Sequence, residues 1–231
     1  MARILTYGYD LSASALFASD ASETIQRMAE SLVQELRANR KLAGTLRRPI
    51  IFVCHGVGGV LVKKSLVYSS TRTAPKVDHL WDQFISTFAI LFFGTPHGDV
   101  AKSSWLDFEA TVSSHKYQLP RVAMNNMGGN HSRCAADRGA VQIPRLVDND
   151  FSPLLRHFNI FFFWEQLPTP LGNNRLDFLV EHRSAAPRLD NTEAAGIHAN
   201  HVDMVKFRSR DSSDYRTVLA ALDTYCEKAP E

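Results

Sequence analysis

Three short runs in this chain carry almost nothing but apolar side chains: residues 50–54 (IIFVC), 88–93 (FAILFF) and 160–164 (IFFFW). A strand with one wet face alternates apolar and polar residues, and these runs do not. The first reads as a buried strand and the other two as strands buried on both faces, the environment of a parallel sheet held between helices. Parallel neighbours cannot be joined by a tight turn, so helices must lie between them. The intervening sequence supplies such helices. Asp20 with Glu23 makes a capping-box-like start, after which Ile25, Met28, Ala29, Leu32, Val33 and Leu36 recur on one helical face. Val60, Leu61, Leu66 and Val67 mark the buried side of a helix after Gly59, with Lys63 and Lys64 assigned to its exposed side. Tyr215, Val218, Leu219, Leu222 and Cys226 do the same for a last helix over 213–227. The expected architecture is an α/β three-layer sandwich with a mostly parallel sheet.

With 231 residues, the chain is read as a single domain. One stretch, residues 113–143, is polar, contains Gly128, Gly129 and Gly139, and has no clear period; it is expected to be an irregular excursion. Lys and Arg number 26 against 24 Asp and Glu, with no basic block, so nothing electrostatic points to nucleic acid. The run FNIFFFW is far too short to span a bilayer, so no transmembrane segment is expected. Cys54, Cys134 and Cys226 are odd in number and widely spaced, which suits neither a disulfide framework nor a zinc site and suggests a reducing, cytoplasmic setting.

The run IIFVC breaks at once into His55-Gly56-Val57-Gly58-Gly59 and then a helix. This strand, sharp glycine turn and helix form the layout of a nucleophile elbow, in which a strained turn lifts a serine above the sheet. Position 56, where that serine belongs, is glycine. Glycine keeps the permissive backbone and deletes the oxygen. Cys54 lies two residues earlier on a buried strand and Ser65 more than two helical turns away, so neither replaces it. The same stretch fails as a phosphate loop. A dinucleotide fingerprint needs a small residue at Leu61, and a Walker loop needs glycine directly before Lys-Ser. His198, His201 and Asp203 are a weak metal grouping that a hydrolase-type loop explains better, so no metal and no cofactor are expected.

In order, RILTYGYD, RPIIFVCHGVGGVLVKKSL, AILFFGTPHG, FFFWEQL, SAAPRLDNTEAAGI and NHVDMVKF resemble the fungal branch of the lipase-like α/β-hydrolases, relatives of the serine-active-site-containing proteins. The resemblance covers most of the chain outside residues 113–143. It implies an α/β-hydrolase-like fold and, in fungi, a place at the N-terminus of NOD-like receptors. Association with mitochondrial or ER membranes is implied by that resemblance alone. By the same resemblance His201 matches the triad base, and Glu165 is the first choice for the acid, ahead of Glu181. Thr95, Pro96 and His97 match a motif that shapes the site rim. The family begins with an earlier strand ending in a His-Gly turn that supplies part of the oxyanion hole. Here Met1 stands three residues before Ile4, so the first strands are expected to be missing. Residues 4–9 (ILTYGY) read as a strand, and with that gap they are expected to pair directly with the 50–54 strand.

Ester hydrolysis on this architecture needs a hydroxyl, a histidine to take its proton and an acid to orient the histidine. Without the hydroxyl, the expectation is a degenerate, inactive domain that recognises a protein partner or a small acyl or ester ligand. His201 and Glu165 are expected to be retained as a hydrogen-bonded pair. The alternative is an active ester hydrolase completed by missing N-terminal parts or by another chain.

Overall fold

The computed structural model describes residues 2–10, 14–116, 143–171 and 175–230. A 3-10 turn, Ser14–Phe17, leads into helix α1 (Ala21–Leu42) and strand β1 (Ile50–His55), followed by α2 (Val57–Ser70). A further 3-10 turn, Asp78–Trp81, and the short α3 (Asp82–Ser86) precede β2 (Thr87–Phe93). Then come α4 (Lys102–Lys116), α5 (Ile143–Phe151) and, after a 3-10 turn at Ser152–His157, β3 (Asn159–Glu165). The two-residue strands β4 (Thr169–Pro170) and β5 (Leu176–Asp177) pair antiparallel to each other. The chain closes with α6 (His182–Ala185), β6 (Thr192–Ile197) and α7 (Ser213–Lys228).

The main sheet has the order β1-β2-β3-β6, and all three of its pairings are parallel. The three apolar runs are its first three strands; in β2 and β3 their lack of alternation has the expected cause, whereas β1 is only half-buried. Ile90, Phe92, Ile160 and Phe162 face one side, packing with Ala29 and Leu32 of α1, Leu61, Val62 and Leu66 of α2, and Phe151 of α5. Ala89, Leu91, Phe93, Phe161 and Phe163 face the other, against Met204 and the Val218, Ala221 and Tyr225 side of α7. Register places Phe92 opposite Phe162 and Phe93 opposite Phe163, and both pairs stack, with ring centroids 5.8 and 4.4 Å apart. Helices cover both faces of a parallel sheet, a three-layer α/β-hydrolase-like arrangement.

Several expectations need correction. Residues 4–9 form no strand and pair with nothing in the sheet. Ile4 is 89% exposed, whereas Tyr7 leans on the α1–α2 core and the Tyr9 hydroxyl lies against Gly58, 2.8 Å from where a Cβ would stand. The segment thus meets the domain through tyrosine side chains rather than backbone. β1 is consequently a sheet edge, with Val53 59% exposed. An unpaired sheet edge is costly only where its amides are buried. Here Ile50–Phe52 are half-buried and Val53 exposed, so water reaches the edge and can satisfy the backbone groups.

Lys63 is fully buried rather than on the wet side of α2. On α7 the buried face is turned, so Leu219 and Cys226 are exposed and Ala221 and Tyr225 are covered. Asp20 stands at the N-cap of α1 without a side-chain cap bond, and Glu23 pairs instead with Arg27. Of the stretch read as an irregular excursion, residues 113–116 belong to α4 and Ile143 opens α5; the remainder, with Cys134, lies outside the described residues.

Candidate functional site

All the strands of a parallel sheet end on the same side, so the loops after β1, β2, β3 and β6 gather there. Gly56, the single residue between β1 and α2, has φ 52° and ψ −126°. Residues with a Cβ rarely adopt that conformation, and then only under strain. Its N–H donates to the Phe93 carbonyl at 2.9 Å, which fixes the turn to the end of β2. Gly59 permits the close approach of α2: a Cβ there would overlap Thr95 Oγ1. Val57, half-buried, packs beside Leu16 and Val60.

His201 arrives from the loop after β6 and is buried, with only 3% exposure. A Cβ built on Gly56 would lie 3.0 Å from His201 Nε2. The imidazole therefore faces the place where an elbow side chain would project, and it fills much of that space itself. On the far side, His201 Nδ1 is 3.8 Å from Glu165 Oε1 and makes no hydrogen bond. The expected hydrogen-bonded pair is thus a close ion-pair geometry only. Glu165, at the end of β3, is satisfied elsewhere: Oε1 accepts from the Val180 N–H at 2.8 Å, and Oε2 from Thr169 Oγ1 at 3.3 Å. Thr169 in turn accepts from the His201 N–H at 3.1 Å, so β4 links histidine backbone to glutamate side chain.

Glu181, the second choice for the acid, is at the N-cap of α6, with its side chain turned to solvent and paired with Arg183 at 3.2 Å. The structure brings Gly56, His201 and Glu165 together and leaves Glu181 outside. His55 lies beside the site; its Nε2–H donates to the His201 carbonyl at 2.8 Å, and the two rings are 4.7 Å apart. Burial first, and then the neighbouring His201, push His55 down to about 4, so it is the neutral ring that makes this bond at pH 7.

The loop after β2 forms the opposite wall. Gly94 has φ 52°, and a Cβ on it would be 2.9 Å from His201 Nδ1, so the backbone packs directly on the ring. Thr95 is buried with its hydroxyl unpaired, Pro96 accepts a bond from Lys63, and His97 is buried against the edges of Phe92 and Phe162. Trp105 and Phe108 of α4 complete the surround of His201, with ring centroids 5.6 and 6.3 Å away. Sequence reading missed these two aromatics and Thr169, because no local period ties them to an imidazole far along the chain. Among the described residues, no group of three or more His, Cys, Asp or Glu side chains is placed to hold a metal ion. Nor is any described helix long and apolar enough to cross a membrane.

The chain is similar to protein SERAC1 of Bos taurus, at 27% identity over 221 residues, and to protein SERAC1 of Homo sapiens, at 26%. Each match covers 94% of this chain, which spans only 30% of the length of those relatives. No family model matches. Among solved structures, the Bacillus licheniformis lipase BlEst2 is similar at 14% identity and a TM-score of 0.49, over 91% of this chain and 86% of the lipase. The RedJ thioesterase of Streptomyces coelicolor is similar at 17% identity and a TM-score of 0.41, over 87% of this chain and 71% of the thioesterase.

Proposed function

We propose that this chain is a non-hydrolytic α/β-hydrolase-like domain that recognises rather than turns over its ligand. The observation that carries this reading is at Gly56. The backbone turn of an elbow is present and an imidazole faces it, but there is no oxygen to attack a carbonyl carbon. A base without a nucleophile beside it has no proton to take. The unpaired His201 Nδ1 supports the same reading, since an orienting acid acts through a hydrogen bond and here the nearest Glu165 oxygen is 3.8 Å away. In this reading His201 and Glu165 are vestiges of a base and its acid, and the walls built by Thr95, Trp105 and Phe108 bind a small acyl or ester ligand or a segment of a partner protein. An intracellular recognition module of the NOD-like-receptor type accords with the resemblance in sequence. It extends to the whole protein only by that route.

The test is direct. The protein is incubated with a fluorophosphonate probe and, separately, with p-nitrophenyl butyrate. The expected result is no covalent labelling and no nitrophenol release above buffer. Labelling that maps to a serine and disappears in His201→Ala would overturn the proposal in favour of a working esterase.

A further inference from the structure

A second cluster of buried ionisable groups lies on the other side of the loop after β2. Lys63 on α2 has no solvent exposure at all. Its ammonium donates to the Pro96 carbonyl at 3.2 Å and to Asp148 Oδ1 on α5 at 3.1 Å, and stands 3.3 Å from His97 Nδ1. His97 Nδ1 is itself 3.1 Å from the same Asp148 oxygen. The Asp148 side chain is 30% exposed, so the cluster has its sole carboxylate among the described residues at the rim and its cation at the bottom.

We propose that Lys63 and Asp148 form a latch that seats α5 on α2 and, through Pro96 and His97, holds the loop of residues 94–98 against His201. A buried ammonium that loses its carboxylate is left as an uncompensated charge, which is strongly unfavourable. Moving α5 away therefore strands Lys63, and Lys63 can recover solvent only by letting go of Pro96 and His97. The loop they hold carries Gly94, which packs on the His201 ring, and Thr95, which packs on Gly59. The position of α5 and the wall of the candidate site are thus coupled through one ammonium group. α5 also buries Ile143, Val147 and Phe151, but its remaining polar ties are weaker. Lys64–Asp150 and Arg145–Asp99 are ion pairs with exposed members, and a cavity of about 130 Å³ remains in the seam lined by Ile25, Ile143, Leu146 and Val147. The latch stands whether or not the domain hydrolyses anything.

Amide hydrogen exchange at pH 7 tests it, because the reporters are hydrogen-bonded: Gly94 N–H to Phe163 O at 2.8 Å and His97 N–H to Ser184 O at 2.9 Å. In Asp148→Asn, exchange in α5 and at residues 94–98 is expected to speed up together, by tenfold or more. Asp150→Asn and Arg145→Gln are expected to change both by less than threefold. In the double variant Lys63→Met with Asp148→Asn, the stranded charge is gone but Pro96 has lost its donor. There α5 is expected to regain near-wild-type protection while residues 94–98 stay fast. If α5 loosens in Asp148→Asn and residues 94–98 do not, the coupling is refuted. It is equally refuted if the double variant leaves α5 as unprotected as the single one. Should Asp148→Asn fail to fold, the double variant and the two exposed-pair controls still decide the matter.

Discussion

Replacing Gly56 by alanine and by serine measures the elbow directly, because the two substitutions share every cost but one. Both must adopt φ 52° and ψ −126°, which for a residue with a Cβ costs about 1–3 kcal/mol. Both place that Cβ 3.0 Å from His201 Nε2, so the imidazole must shift by a few tenths of an ångström. The ring is 3% exposed and pressed by Trp105 and Gly94, so a strained rotamer adds about 0.5–1.5 kcal/mol. Alanine should therefore destabilise by roughly 2–4 kcal/mol. Serine pays the same strain but offers its hydroxyl to Nε2, which recovers about 1 kcal/mol. With a urea dependence of about 3 kcal/mol per molar, alanine should lower the unfolding midpoint by about 1 M and serine by about 0.3 M less than that. The push on Nε2 is also directed toward Glu165, so in the serine variant the 3.8 Å separation from Nδ1 should close to hydrogen-bond length. Hydrolysis of p-nitrophenyl esters by Gly56→Ser alone should stay near background. A midpoint shift under 0.2 M for alanine would mean the turn is not strained for a residue with a Cβ. Serine no more stable than alanine would mean His201 Nε2 does not face position 56.

Three further outcomes follow from buried groups. His97 and His55 are each pushed from the ordinary 6.5 to about 4, chiefly by burial. The unfolded chain therefore takes up these protons at higher pH than the folded one. Their contribution is complete above about pH 6.5 and is lost as pH falls through about 4, roughly 3 kcal/mol for each. Urea midpoints between pH 7.5 and 4.5 should fall steeply, and His97→Gln should remove about half of that slope; a flat profile would refute the burial of both rings. Burial raises the Cys54 thiol to about 12, so iodoacetamide at pH 8 should alkylate exposed Cys226 in the native protein and leave Cys54 untouched until urea is added, as peptide mass spectrometry can read. Gly59→Ala puts a methyl into Thr95 Oγ1 and 2.8 Å from its Cβ. Overpacking of about 1–3 kcal/mol should lower the thermal midpoint, and an unchanged midpoint would mean that α2 does not approach Thr95 this closely.

The sheet was legible in the chain because burial on both faces leaves a local mark. Residues 88–93 and 160–164 cannot alternate when water touches neither side, and they read as strands without knowledge of their neighbours. The elbow was legible for a similar reason, since the strain of the turn demands glycines at short spacing. What failed were inferences about partners. The 4–9 segment has the composition of a strand, but β propensity is expressed through pairing, and here its tyrosines meet the α1–α2 core before its backbone meets β1. Lys63 reads as a wet helix position beside Lys64, and nothing nearby announces that its carboxylate sits 85 residues away on α5.

The missing oxygen at position 56 is a covalent fact, and the sequence by itself determined it, together with the parallel sheet and the side on which its loops converge. Hydrophobic periodicity encodes only which side of each segment faces water, and that partition is local. Only the tertiary structure decided that His201 stands in the space beside Gly56, that Glu165 rather than Glu181 stands behind it, and that the two are 3.8 Å apart. Those distances come from where separate elements stop against one another, set by the packing of Gly94 and Trp105 on one ring and by the bond of Thr169 to its backbone N–H. Side-chain volume fixes such stops only once every neighbour is in place.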